Sequence, residues 1–253
     1  MTLAGLITIR NGLDLDYCFR ECAQSLLGIC DELVVNDVSS TDGTWEEVQF
    51  WADHDSRITL CRTDWTDPRA TADWWPEVLN RTRQHAKSSH VLHLDADELI
   101  HENDYYEIRR VAEEGKSVFL HRYNFWRDAK SLIPEGVCCG TKVLRMAPKD
   151  MPLPSDYPYG PAEETMKIAV ESGIKCYHYG FLRKRDAFFR KAREVQRIWA
   201  NDFDPRLAAA EKSGVQNWMT HDGVVPWKDD LAPFTGTHPK SIHQWLTDRG
   251  YTV

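Results

Sequence analysis

No apolar run in the 253 residues approaches the roughly 20 that a bilayer span needs. Met1 to Gly5 leads straight into a short strand pattern with no basic leader and no cleavage site. A cytoplasmic chain is expected. The seven cysteines (Cys18, Cys22, Cys30, Cys61, Cys138, Cys139, Cys176) are odd in number and contain no CxxC pair, which argues against a disulfide framework and a zinc ribbon. Cys18 and Cys22 lie one helical turn apart beside Phe19, Ala23 and Leu26, and read as core. There is no Walker A loop, no GxGxxG and no GxSxG, so P-loop, Rossmann dehydrogenase and α/β-hydrolase readings fall away. Internal repeats, low-complexity tracts and linker-like stretches are also missing, so one domain over residues 1–253 is expected. Excess positive charge is lacking too: a net charge of −8 repels a phosphate backbone at long range and disfavours, without excluding, a nucleic-acid acceptor.

What is there is ordinary globular material, with 42% hydrophobic and 28% charged residues. The ten tryptophans are many for the length, but core and interface packing accounts for most tryptophans. The first half alternates short apolar runs with helical periodicity. Strands are expected at Leu3 to Ile9, Glu32 to Asn36, Arg57 to Cys61 and Val91 to Leu94. Between them, Leu15, Phe19, Cys22 and Leu26 recur at helical spacing, Thr44 to Glu47 has the form of a capping box, and a helix follows Pro76. This rhythm predicts an α/β fold with a mainly parallel central sheet flanked by helices and ligands bound beyond the strands' carboxyl ends. The second half is less regular. A helix is expected over Asn103 to Glu114, with strands at Val118 to Tyr123, Lys142 to Arg145 and Ile174 to His178. Five prolines between Pro148 and Pro161 require an extended or looped path. A last helix from about Asp186 carries Phe188, Ala192, Val195 and Trp199 on one face and Arg185, Arg190, Lys191, Arg193 and Arg197 on the other, read as a solvated face or a dock for an acidic acceptor.

Chemistry concentrates at Val91-Leu92-His93-Leu94-Asp95-Ala96-Asp97-Glu98, a buried type of strand delivering three carboxylates at its end. Carboxylates there are costly unless a cation compensates them, and Mg2+ or Mn2+ does so when a substrate diphosphate completes its shell. An EF-hand is excluded, because Ile100 and Tyr106 stand where its Gly and terminal Glu belong. Asn36-Asp37-Val38-Ser39-Ser40-Thr41-Asp42-Gly43-Thr44 joins a strand to a helix; its Ser, Thr and Gly serve the turn, while Asp37 sits where a base or ribose is held.

In order and in placement these two segments resemble glycosyltransferase family 2 proteins of the GT-A fold, whose early strand commonly ends in a pattern like VVNDGSSDGT and whose later strand ends in LDADE. Asn80 and Ala86 match the family's RN-x5-A approach to its DxD; Leu79 replaces the usual Arg, and Arg81 or Arg83 is the nearby candidate for that charge. Tyr177-His178-Tyr179-Gly180 looks like the HYG-type segment of one subgroup, and Gly160-Pro161-Ala162-Glu163-Glu164 resembles its GPxHE-like segment. The likeness covers roughly residues 3–200. It implies a nucleotide-sugar-binding half at 1–100, an acceptor-side half at 101–200 and a C-terminal extension at 201–253. It implies a metal-dependent, inverting transferase that uses a UDP- or other NDP-sugar and an acceptor glycan or other hydroxyl-bearing molecule. Asp37 would hold the base, Asn80 and Arg83 the donor, Asp95 with Ala96 the ribose or donor sugar, and Asp97 with His178 a Mn2+ or Mg2+ ion. Glu164, with Glu163 as understudy, would be the base. Asp37 and Asp95 are then expected at the ends of neighbouring strands facing one cleft, and side chains opening onto opposite sides of the sheet would make the nucleotide-sugar reading wrong. A nucleotidyltransferase acting on a sugar phosphate and a non-catalytic nucleotide-fold interaction protein are the alternatives.

Overall fold

The computed structural model describes residues 1–64, 74–135, 142–151, 169–199, 205–213 and 231–252. Strand β1 (Leu3–Ile9) is buried along its whole length, as a strand covered on both faces must be. Strands β2 (Glu32–Asp37), β3 (Ile58–Arg62) and β4 (His90–Asp95) join it in parallel, β2 and β4 flanking β1 and β3 lying outside β2. Helices α1 (Phe19–Ile29), α2 (Thr44–His54) and α3 (Trp74–Gln84) supply the crossovers.

Beyond β4 the sheet continues through β5 (Glu98–Ile100), β6 (Ser117–Asn124), β8 (Lys142–Pro148) and β9 (Ala169–His178), in the spatial order β3-β2-β1-β4-β8-β6-β9-β5. Among the described residues, four of its seven pairings are parallel and three antiparallel. The mainly parallel α/β expectation therefore holds, and each antiparallel pair includes β8 or β9 from the second half. The main core packs α1, α2 and α4 (Tyr105–Glu113) on one face through Phe19, Leu26, Val48 and Ile108; α3 covers the other, where Leu6, Val34, Ala86 and Val91 meet.

Several local details differ from the sequence reading. Helix α2 has no capping box: Gly43 takes the cap position at φ 95°, and Asp42 Oδ1 accepts the Thr44 amide (3.0 Å) and hydroxyl (2.6 Å). The Asp42 carboxylate displaces Thr44 because it reaches the free helix amides with charge. Helix α3 begins two residues before Pro76, which fits a first turn whose amides have no helical partner. The basic side of helix α5 (Arg185–Trp199) is a solvated face at Arg185, Arg190 and Arg193, which are exposed; Lys191 departs from it and turns inward. Arg185 and Arg193 bond to Glu211 on α6 (Pro205–Ser213), Arg190 to the Asp14 carbonyl, and Lys191 to Asp97.

Past residue 230, short strand β10 (Ala232–Pro233) pairs with β7 (Ser131–Leu132), and helix α7 (His243–Thr247) buries Trp245 and Leu246 against Cys18, Leu99 and Tyr179. Arg249 pairs with Asp16 and lies 3.5 Å over the Trp245 ring. This segment is therefore part of the folded core. The described cysteines are free thiols, and Cys18 and Cys22 are core residues. Among the described residues no helix is long and apolar enough to cross a membrane.

Candidate active site

Strand ends bring the acidic residues to one edge. Asp37 ends β2 opposite Ile9, and Asp95 ends β4 opposite Thr8. Their strands are separated by β1, so they are not neighbours. Because Thr8 and Ile9 are successive residues, the pleat sends Asp95 to the α3 side and Asp37 to the other. The hydrogen bonds agree: Asn36 and Thr8, in register with Asp95, both meet Thr82 of α3, whereas Asp37 pairs with Arg62 beneath Trp45 of α2. The expected single face shared by Asp37 and Asp95 is not formed.

Asp95 belongs to a compact charge cluster. Its Oδ2 accepts from Arg145 Nη2 at 2.5 Å and from Arg122 at 3.4 Å, and both guanidiniums also reach Oε1 of Glu98, at 2.7 and 2.5 Å. Glu98 Oε2 accepts the amide of Asp95 itself at 3.0 Å. Burial would raise the Asp95 carboxyl, but Arg145 foremost holds it at about 2. His93, on the same side, is driven down to about 3 by burial and by Arg145, so its ring is neutral.

Asp97 turns toward the opposite rim. Its Oδ2 accepts from Arg183 Nη2 (2.6 Å) and Lys191 Nζ (2.8 Å), while Oδ1 faces His178 Nε2 at 3.6 Å. Burial lowers His178 to about 3, against the pull of Asp97, leaving a neutral imidazole suited to ligation. Lys191 foremost, with Arg183, overcomes the burial penalty on Asp97 and keeps it ionised far below the usual range. Gly180 keeps the space between them open, since a Cβ there would stand 2.5 Å from His178 Nε2 and 2.7 Å from Asp97 Oδ2. One carboxylate oxygen and one neutral nitrogen across such a gap fit a Mn2+ or Mg2+ ion whose remaining ligands are water and phosphate. No group of three or more His, Cys, Asp or Glu side chains that could hold a metal occurs among the described residues. The charge argument behind that ion needs correction: Arg122, Arg145, Arg183 and Lys191 already compensate the three carboxylates.

Asp37 is wholly buried. Its Oδ2 accepts the Ser40 amide (3.1 Å) and pairs with Arg62 Nε (3.2 Å), whereas Oδ1 has no hydrogen-bond partner among the described residues. Arg62 stacks 4.6 Å from the Trp45 ring. The β1–α1 loop links this corner to Asp97. Asn11 and Leu13 bond to Ser40, Thr41 and Thr44, and the Leu15 carbonyl accepts from Arg183.

The other expected residues fall around this edge. Asn80 lies on α3, half-buried, and Ala96 is buried between the two aspartates. Arg83 is buried and donates to the carbonyls of Pro148 and Lys149, tying α3 to the end of β8. Arg81 is exposed beside Glu77. Glu163, Glu164 and the prolines from Pro152 to Pro161 lie outside the described residues. Sequence reasoning passed over Arg122, Arg145, Arg183 and Lys191 as site residues.

An α/β sheet with this edge, closed on its second half by antiparallel strands, is a GT-A fold. The chain belongs to glycosyl transferase family 2, whose family model matches residues 11–136, about half of its length. No curated protein matches the sequence. Among solved structures, TarS 1-349 from S. aureus in complex with UDP is 15% identical, with 84% of this chain and 70% of that one covered and a TM-score of 0.47. The same protein with UDP-GlcNAc gives 15% identity, 86% and 72% coverage and a TM-score of 0.45. The mannosyltransferase PcManGT from Pyrobaculum calidifontis, in complex with GDP-Man and Mn2+, is 18% identical with 83% and 69% coverage and a TM-score of 0.47.

Proposed function

We propose that this protein is a metal-dependent, inverting glycosyltransferase that takes a sugar from a nucleotide-sugar and passes it to a hydroxyl acceptor. The observation that carries the reading is Asp97 Oδ1 opposite the neutral His178 Nε2 at 3.6 Å, on a rim that the β1–α1 loop joins to Asp37. Base and diphosphate are separate parts of a donor, with a ribose between them, so Asp37 and Asp97 each take one part without sharing a sheet face with Asp95. Asp37 offers Oδ1, which has no hydrogen-bond partner among the described residues, to a base N–H, and Asp95, fixed by Arg145 and Arg122, takes the ribose or the donor sugar.

A divalent ion held by Asp97 and His178 supplies charge neutralisation for the diphosphate leaving group. Glu164, with Glu163 as understudy, removes the proton of the incoming hydroxyl, and attack from the face opposite the leaving group inverts the anomeric centre. We further read residues 1–253 as one domain, with the donor in the first hundred residues and the acceptor over the second half.

The test is a screen of nucleotide-sugars, UDP-GlcNAc and GDP-mannose included, for Mn2+-stimulated hydrolysis, which needs no acceptor. Asp97→Ala removes the stimulation, and Glu164→Gln slows transfer by roughly 10²-fold while donor binding persists. Equal nucleoside-diphosphate affinity with and without chelator in the unaltered protein overturns the metal-bridged site.

A further inference from the structure

Among the described residues, three carboxylates, Asp95, Asp97 and Glu98, meet four cations, Arg122, Arg145, Arg183 and Lys191. The surplus positive charge is not shared evenly. Arg183 is 1% exposed and fully engaged, donating to the Gly180 carbonyl (2.7 Å), the Leu15 carbonyl (2.5 Å) and Asp97 Oδ2 (2.6 Å). Arg145 is equally buried and Arg122 is 10% exposed, and both are tied to Asp95 and Glu98. Lys191 differs: its side chain is 26% exposed, and it lands on the Asp97 oxygen that Arg183 already occupies, at 2.8 Å, with the Tyr17 ring 4.7 Å away.

One carboxylate oxygen holding two cations has one more than its charge requires. Of the two, the ammonium on its flexible four-carbon stem is the one that swings away without breaking a network. A nucleoside diphosphate arriving at this rim brings at least two negative charges and competes for that ammonium.

We propose that Lys191 is the diphosphate-binding cation of the donor site, and that its ion pair with Asp97 is a resting contact which the donor's phosphate displaces. The proposal rests on the donor-site reading above. It also couples two ligands: Lys191 on Asp97 opposes a divalent ion at the same carboxylate, and a diphosphate that draws Lys191 away favours the ion, with the reciprocal effect required by linkage.

Calorimetric titration of the full chain with MnCl2 alone, with UDP or GDP in chelator, and with both together tests this in Lys191→Met and Lys191→Arg. The expected result for Lys191→Met is Mn2+ binding tightened by about 3-fold or more, because a competitor is gone. Diphosphate binding in chelator weakens by about 10-fold, the loss of one charge-assisted contact. Lys191→Arg keeps diphosphate affinity within about 3-fold. Adding Asp97→Asn to Lys191→Met abolishes the Mn2+ gain. Unchanged diphosphate affinity in Lys191→Met, or weaker binding of Mn2+ alone, overturns the proposal and leaves the lysine as a support for Asp97. Absence of UDP and GDP binding in the unaltered protein removes the donor-site reading and this proposal with it. Thermal melts accompany each variant, and Lys191→Gln carries the same comparison if Lys191→Met does not fold.

Discussion

Glu98 holds Asp95 by its own main chain: the Glu98 Oε2 accepts the Asp95 amide at 3.0 Å, while Oε1 takes Arg145 at 2.7 Å and Arg122 at 2.5 Å. The Glu98 side chain is fully buried, and among the described residues these two guanidiniums balance its charge. Glu98→Gln keeps the shape and leaves two buried cations facing an amide. Breaking a buried pair from one side costs about 3 kcal/mol, and urea denaturation should show a loss of that order. A change below about 0.5 kcal/mol would mean that solvent reaches the cluster.

Gly180 is required for space rather than for backbone freedom, since its φ lies outside the left-handed region. In Gly180→Ala the new methyl pushes on His178 Nε2 and Asp97 Oδ2, both held by a packed surround. Overpacking of this kind costs about 1–3 kcal/mol. More telling is the separation of Asp97 from His178: the Mn2+-dependent part of diphosphate binding should fall about 10-fold, whereas binding in chelator changes little. Unaltered Mn2+ dependence would show that these two atoms do not share an ion.

How far the sequence reveals this arrangement depends on the range of the interactions. The first four strands are short apolar runs bounded by helical periodicity, β1, β2 and β4 largely buried and β3 only at Ile58, and each appears within a residue or two of its expected place. Strand β5 escapes because Glu98-Leu99-Ile100 is only three residues long and follows an acidic turn. The compensating arginines escape because Arg122 and Arg145 approach Asp95 from 27 and 50 residues away, on strands where a single Arg has no local signature. Lys191 left a usable trace. It stands three residues after Phe188 and four before Val195, and so shares the helix stripe of the apolar residues rather than the outward one. A cation on that stripe needs a buried acid, and Asp97 is that acid.

Acid should destabilise the protein through its neutral histidines. His238 is buried, with Nδ1 against the Tyr179 hydroxyl and Nε2 against the Ala129 carbonyl, each at 2.8 Å, and burial lowers it to about 4. In the unfolded chain it titrates near 6.5. Between roughly pH 6.5 and 4 the unfolded state therefore binds a proton that the native state refuses, so stability falls with falling pH, by about 1.4 kcal/mol per pH unit at full effect. Above that window His238 contributes no pH dependence. His93 and His178, held at about 3, act in the same direction over a longer range. Denaturation from pH 7.5 to 4.5 should give a shallower decline in His238→Gln than in the unaltered protein, by about one proton equivalent. Parallel profiles would place a proton on His238 in the native state.

Asp37 decides whether the second rim belongs to the donor site. Among the described residues Asp37 Oδ1 is a buried carboxylate oxygen with no hydrogen-bond partner, which is costly, and the other oxygen is already satisfied by the Ser40 amide and Arg62. The free oxygen accepts only, so a ligand base must bring an N–H to it. Uracil and guanine do so with a ring imide or amide N–H, whereas the ring nitrogen at the matching edge of adenine or cytosine is an acceptor and is repelled. Removing the carboxylate in Asp37→Ala should weaken UDP or GDP, whichever the protein selects, by about 10-fold or more, the worth of one hydrogen bond to a charged group. ADP and CDP, weak from the start, should lose almost nothing, so selectivity falls together with affinity. Asp37→Asn keeps the volume and presents either an oxygen or an amide, and should fall between the two. If Asp37→Ala instead lowers the melting temperature and leaves the preference among the four nucleotides intact, Asp37 is a clamp for Ser40 and Arg62, and the base is recognised elsewhere along the edge.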